Sequence, residues 1–465
     1  MTSETPRTLQ EVLERAPSVQ ELLYHNPTGA RVYPVDPLSS PTSRTNRTPG
    51  GIPSASSTSP NHMTDLFLRG PDAFALLRQL GINSCEGFQL GQAKQYVPVS
   101  PEGYVSGDVI LLYLEDGPFQ LVGRPSVHNG VQFHAATSGA AARRVVGRRS
   151  PQAAQDLPLP DPGPQRPQAP RETARRPPTR PPLLPLHPHL DRRQARRPPH
   201  HGMSGVAGAE CFGDFADGPA VKAAIRKAGK AFGIRHVGSR ASATNTLESG
   251  WIPHPRPAIS TSPALEPYRR WLPATAYEAI GSLGGSFVSP RIEDYDLTPW
   301  DLGYGRLLEF DHDFVGRAAR EQLTDQPHRK RVTLVWDPDE AARVISSLVT
   351  HPKGQRSKYF DLPLAQYATW MDDAVLTDAG EVVGLAMLTG FSSNEERVLA
   401  LATVRSEYAQ EGTRRRVVWG EPNGGSRKPS VERHVQTEVW VTVGPAPSAE
   451  PARRYREQVA RARRS

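Results

Sequence analysis

Cysteine is nearly missing from this 465-residue chain. Cys85 and Cys211 stand far apart with no CxxC spacing, which excludes a disulfide framework and a cysteine-built zinc site. No apolar run reaches the length of about 18 residues that a membrane-spanning helix needs. The first residues, MTSETPRTLQ, lack the charged start and apolar core of a secretory signal. A soluble protein of a reducing cytoplasm is the expectation. Aromatic residues are missing between Phe133 and Phe212, and positions 151–200 hold fifteen prolines and nine arginines but no lysine or isoleucine. No core can be built from such a segment, and its arginines would attract nucleic acid only through nonspecific charge. Residues 38–60, rich in Ser, Thr and Pro, are biased in a similar way. His187, His189, His200 and His201 lie in or beside the proline-rich stretch without cysteine or acidic partners at ligand spacing, so no metal site is expected.

What remains has the marks of a folded protein. The chain is long enough for two or three domains, and 37% hydrophobic content with a net charge of +8 fits a globular body carrying aberrant segments. Thr8–Tyr24 has leucines and valines near helical spacing, with Pro17 dividing two short helices. Met63–Leu68 predicts a strand, and GPDAFALLRQLG predicts a helix opened by Pro71 and closed by Gly81. Gln95–Arg124 predicts two hairpins. Within it Val109–Leu114 is apolar without alternation, as suits a strand near the middle of a sheet. Pro219–Phe232 predicts an amphipathic helix that Gly233 ends. From Arg331 onward, RVTLVW, EVVGLAMLTGFSS, RVLALATV, RRRVVWGE and VQTEVWVTVG alternate with turns, predicting a small antiparallel barrel followed by a basic tail.

The densest stretch is Gly238–Trp251, GSRASATNTLESGW. Small side chains let a helix backbone approach a ligand, while Arg240, Asn245, Glu248 and Trp251 supply directional contacts. GSLGGS at 281–286 lacks both the Lys-Ser/Thr of a phosphate loop and the glycine order of a dinucleotide fold, and reads as a tight loop.

Taken together, NHMTDLFLRGPDAFALL, AKQYVPVSPEGYVSGDVILLYL, HGMSGVAGAE, GSRA with NTLESGWIP, FDHDFVGR, and WGEPNGG with KPSVE resemble the glycine-cleavage T-protein (aminomethyltransferase) superfamily. Within it the likeness is to the bacterial tetrahydrofolate-dependent O-demethylases of vanillate, syringate or 3-O-methylgallate, enzymes of lignin-aromatic catabolism. The resemblance implies an α+β fold of folate-binding domains with a C-terminal antiparallel β-barrel. It divides the chain into 1–140 and 201–325 as the folate and substrate parts, 141–200 as the aberrant segment, 326–445 as the barrel, and 446–465 as the tail. It also implies transfer of a methyl group from a methoxy-aromatic acid to tetrahydrofolate. Tyr33, Arg124 and Ser242 fall at the catalytic centre, Glu210, Trp251 and Asp108 against the folate, and His62, Arg240, Asn245 and Glu248 against the aromatic acid. A folate-dependent aminomethyltransferase is the second reading and an inactive folate-binding product the third. Gly107, standing beside Asp108 where the T-proteins carry paired aspartates, weakens the second.

Two departures from the family pattern stand out. Where the demethylases have a tyrosine after GSRA as the acid, this chain has Ser242, and a serine hydroxyl is a poor acid near neutral pH. The spacing across 140–200 is that of the family while the sequence is not. An out-of-frame reading of GC-rich codons, restored before His201, keeps spacing in this way, and an inserted linker does not. Residues 38–60 invite the same explanation.

Overall fold

The computed structural model describes residues 5–27, 55–56, 63–114, 117–139, 143–148, 218–236, 239–253, 255–425, 428 and 431–462. Helices α1 (Leu9–Arg15) and α2 (Val19–His25) each start on a hydroxyl: Thr8 Oγ1 accepts from Glu11 N–H, and Ser18 Oγ from Glu21 N–H. Pro17 separates them, as its missing N–H requires.

Five strands then make an antiparallel sheet: β1 (Thr64–Arg69), β2 (Gln92–Tyr96), β3 (Val109–Tyr113), β4 (Phe119–Gly123) and β5 (Arg143–Arg148). Their order is β2-β3-β4-β1-β5. Helices α3 (Ala73–Leu80) and α4 (Pro125–Thr137) cover one face, closing a core of Leu66, Leu68, Leu77, Leu111, Leu121 and Val131. The central strand is a correction to the sequence reading. Every residue of β4 is buried, whereas β3 lies next to the β2 edge with Ile110 and Tyr113 half-buried. Within β4 the Gln120 amide donates to Asp65 Oδ1 at 2.8 Å, and a buried polar pair satisfied in this way costs the sheet little.

Short helices connect sheet and barrel: α5 (Gly218–Gly229), α6 (Ser239–Ser249), α7 (Glu266–Trp271), α8 (Tyr277–Ile280) and α9 (Arg317–Leu323). Leu9 of α1, Tyr268 of α7, Leu272 and Ala279 of α8 share one apolar cluster, so the N-terminal helix is held by the middle of the chain. GSLGGS is a tight passage, as expected: Leu283–Gly284 pairs with Trp370–Met371, and a side chain at Gly281 would meet the Trp370 ring at 2.0 Å.

Strands β6 (Arg329–Trp336), β7 (Asp373–Leu376), β8 (Val382–Ser392), β9 (Arg397–Arg405), β10 (Arg414–Trp419) and β11 (Thr437–Gly444) close an antiparallel barrel in the order β7-β8-β9-β6-β11-β10. Trp336 and Trp419 meet edge to face inside it, with ring centroids 5.7 Å apart. Helix α10 (Pro338–Thr350), capped by Asp337, packs against β9 and β11 and adds Val344 to the barrel's apolar cluster. The fold is α+β with a C-terminal barrel, as the sequence implies. Its basic end is not a loose tail: residues 450–462 form helix α11 (Glu450–Ala462). Ala452 is buried, and Arg456 donates to Ser249 O at 2.8 Å and Ala446 O at 3.1 Å, docking α11 on the end of α6. No described helix is long and apolar enough to cross a membrane.

Candidate active site

Antiparallel pairing of β3 with β4 sets Val109 opposite Gly123. The next residue of each strand, Asp108 and Arg124, therefore emerges at the same end of the sheet. Arg124 is also the residue from which α4 starts, with Pro125 in the first helical position. Its side chain is buried, and its charge favours the ionised form of Asp108. Gly107 has φ +147°, and a Cβ there would meet Ser126 Oγ and Val127 Cγ2 of α4, each at 2.8 Å. A second aspartate beside Asp108 is therefore excluded by backbone conformation and by space.

Helix α6 is rich in Ser, Thr and Asn, modest helix formers, so packing against the barrel more than propensity holds it. It stops at Gly250, φ +65°, where an added Cβ would lie 3.0 Å from Pro447 Cα. That stop aims Trp251 back toward the sheet. The Trp251 indole N–H donates to the Tyr304 hydroxyl at 2.9 Å, and Tyr304 donates to Asp108 Oδ2 at 2.9 Å. Gln95 Nε2 donates to the same oxygen at 3.0 Å. Three side chains, from β2, the end of α6 and the loop at 304, thus converge on the Asp108 carboxylate at the β3 start.

Burial raises the Asp108 pKa above the usual carboxylate range, opposed by the hydrogen bonds from Tyr304, Gln95 and Trp251 and by the Arg124 charge. Burial, then the Asp108 charge, pushes the Tyr304 phenol well above its ordinary value, so Tyr304 stays a neutral donor. Such a half-buried carboxylate beside a fixed guanidinium can receive an N–H or O–H of a ligand while the arginine meets an anionic group.

Of the residues expected at the site, the structure brings together Asp108, Arg124 and Trp251. Asn245 is half-buried on α6. Glu248 turns toward the barrel: Ser392 Oγ donates to its Oε1 at 2.5 Å, and Asn394 Nδ2 lies 3.0 Å from Oε2. Burial raises its pKa. Arg240 and Ser242 fall within α6, whose described side chains begin at Thr244. Tyr33, His62 and Glu210 lie outside the described residues. Sequence reasoning missed Gln95 and Tyr304. Tyr304 sits in the aromatic run YDLTPWDLGYGR, and nothing in that run distinguishes the one phenol that reaches a carboxylate. A cavity of about 50 Å³ beside α4, lined by Ser126, His134, Tyr268 and Glu278 among others, does not include Asp108, Arg124 or Trp251. A more open one of about 250 Å³, lined by Phe74, Arg78, Cys85, Glu86 and Asp311, does not include them either. Among the described residues, no group of three or more His, Cys, Asp or Glu is arranged to hold a metal ion.

No protein-family model matches the chain. It is 40% identical over 459 residues to syringate O-demethylase of Sphingobium sp. (strain NBRC 103272 / SYK-6), covering 96% of this chain and 97% of that protein. It is 26% identical over 405 residues to sesamin methylene transferase of Sinomonas sp. (strain No.22), covering 81% and 82% respectively. The crystal structure of glycine cleavage system aminomethyltransferase T from Bartonella henselae overlays 84% of this chain and 85% of that one, with a TM-score of 0.47 at 15% identity. That overlay is too loose to bear on the site.

Proposed function

The chain belongs to the syringate O-demethylase family, and from that membership we propose that it moves the methyl group of a methoxy-aromatic acid to tetrahydrofolate. The observation that carries the reading onto this chain's own residues is the convergence of Asp108, Arg124, Trp251 and Tyr304 at the sheet end. These residues fit such a pair of substrates: a carboxylate for N–H donors, a guanidinium for a carboxylate or phenolate, and an indole for a flat ring. Tetrahydrofolate, when bound, supplies the N5 nitrogen that accepts the methyl group. In the net reaction the ether C–O bond breaks and an N–CH3 bond forms. N5 gives up its proton and the aryl oxygen gains one, so no oxidant is needed.

On this reading Arg124 holds the aromatic carboxylate or the developing phenolate, since a fixed cation stabilises charge where it appears. Asp108 and Glu210 take N–H groups of the pterin, and Trp251 and Tyr33 wall the pocket. Arg240, Asn245 and His62 border the aromatic acid. Glu248 acts from behind, fixing α6 to the barrel through Ser392 and Asn394. Gly107 favours O-demethylation over an aminomethyltransferase reaction, because its conformation leaves no place for the paired aspartate.

The test is direct. Purified protein with tetrahydrofolate and syringate or vanillate should release 5-methyltetrahydrofolate and the corresponding phenol in equal amounts; folate binding without either product would overturn the reading. Ser242→Tyr should raise turnover by roughly a hundredfold, the low end of what a positioned acid contributes. An unchanged rate would mean that position 242 does not supply the proton.

A further inference from the structure

We infer that Tyr304 is a positioning residue: its hydroxyl decides which oxygen of Asp108 is left for the substrates and ties the Trp251 indole to that choice. The kinetic part of the inference rests on the demethylase reading; the structural part does not.

The polarity of the chain follows from the donor inventory. An indole N–H can only donate, so in the 2.9 Å contact with Trp251 the Tyr304 oxygen accepts. The single phenolic proton is then directed at Asp108 Oδ2, 2.9 Å away. Gln95 brings a second donor to that same oxygen at 3.0 Å. Oδ2 is thereby committed to two donors, neither of which reaches Oδ1, while the Trp251 indole, bonded to Tyr304, also lies close enough to favour the ionised carboxylate. A proton or a ligand N–H arriving at Asp108 meets Oδ1. Tyr304 is only 3% exposed, so it acts on substrates through Asp108 and Trp251 and not by touching them. Its own geometry is fixed by backbone: Tyr304 N–H bonds Pro299 O at 2.6 Å. The charges facing the pair are Arg124, which favours ionised Asp108, and Arg331, which approaches the phenol. Because donation by Trp251 polarises the phenol, the three groups strengthen one another in series.

Removing the hydroxyl in Tyr304→Phe strips one donor from Oδ2 and leaves the indole N–H without this acceptor. Three measurements on the full chain decide the role. The first is the titration of Asp108 followed by carboxyl carbon NMR. Its midpoint should move to higher pH in Tyr304→Phe, and in the same direction but less in Trp251→Phe; a midpoint unmoved in both overturns the inference. The second is kinetic. The acid limb of kcat/KM should move up with that midpoint, with a loss of about tenfold at pH values below the limb, a scale ordinary for one charge-assisted hydrogen bond. A loss uniform across pH would signal a merely structural role. The third is a double-variant cycle. In an Asp108→Asn background, Tyr304→Phe should change kcat/KM by less than about twofold, whereas full additivity overturns the coupling. Should the wild-type protein demethylate nothing, the functional reading falls, while the NMR titration still judges Tyr304.

Discussion

Two of the polar clusters among the described residues satisfy their carboxylates differently. At the sheet end, Asp108 is held mainly by neutral donors, Gln95 and Tyr304, with Arg124 near it. At the barrel mouth, charge is matched by charge. Lys428 Nζ lies 3.0 Å from Glu421 Oε1, with both side chains almost fully buried, and the buried Lys358 Nζ lies 2.8 Å from Oε2 of the part-exposed Glu432. Matched ions neutralise one another and have little left to give a ligand, so they brace the fold. A carboxylate held by neutral donors keeps its charge and one oxygen for other work. Substitution should therefore harm stability at the barrel and rate at the sheet.

The largest effect is expected from Lys428→Met. Leaving Glu421 buried without its cation should cost about 3–5 kcal/mol of stability, read as a fall in Cm in denaturant melts. Turnover per folded molecule should stay near wild type. A comparable loss of turnover in the folded fraction would erase the distinction between the clusters. Asp108→Asn comes next and should do the reverse: kcat/KM falls by roughly a hundredfold, about 2.7 kcal/mol of transition-state stabilisation, while Cm barely moves. If Asp108→Asn instead unfolds the protein with normal turnover in what remains, the sheet-end cluster is a brace as well.

The sheet-end residues were only partly legible in sequence. Asp108 and Arg124 could be placed because they abut strands whose turns, PEG and EDGP, are written in the chain, and antiparallel pairing then forces them together. Trp251 followed from the family-like stretch Gly238–Trp251, of which it is the last residue. Tyr304 and Gln95 could not be found that way, since neither their residue type nor their spacing reveals a contact made across 196 or 13 residues. In the barrel, five strands were visible from their β-branched runs. The sixth, β7, was not, because it begins DAVL after another aspartate, and two acids ordinarily mark a turn. The basic terminus showed only its charge in the sequence; in the structure Arg453 and Arg456 donate to the carbonyls of Pro447 and Ser249. Composition indicates charge, but the carbonyls waiting for it are a tertiary fact.

The smallest expected effect concerns those two acids. Burial raises Asp296 to about 6, Asp372 to about 7 and Asp373 to about 8, the last despite donation from Ser286 N–H and with Asp372 and Glu421 adding to the rise. Each value lies above that of the same carboxyl in an unfolded chain, so between the ordinary range and about 8 the folded protein holds protons that the unfolded chain has lost. Stability from these groups is complete on the acid side and drains away as pH rises through about 6, then 7, then 8. Melts from pH 5 to about 9 should therefore show Tm declining across that window, the reverse of a protein held by depressed carboxylates. Asp373→Asn keeps the acceptor for Ser286 N–H and cannot ionise. It should flatten the upper part of the decline and raise Tm at the alkaline end by a few degrees, on the order expected for about 1 kcal/mol. An unaltered slope would place the titrating proton on Asp372 or Asp296, and would mean that the unpartnered Oδ2 of Asp373 is tolerated as a charge inside a cluster otherwise built from matched pairs.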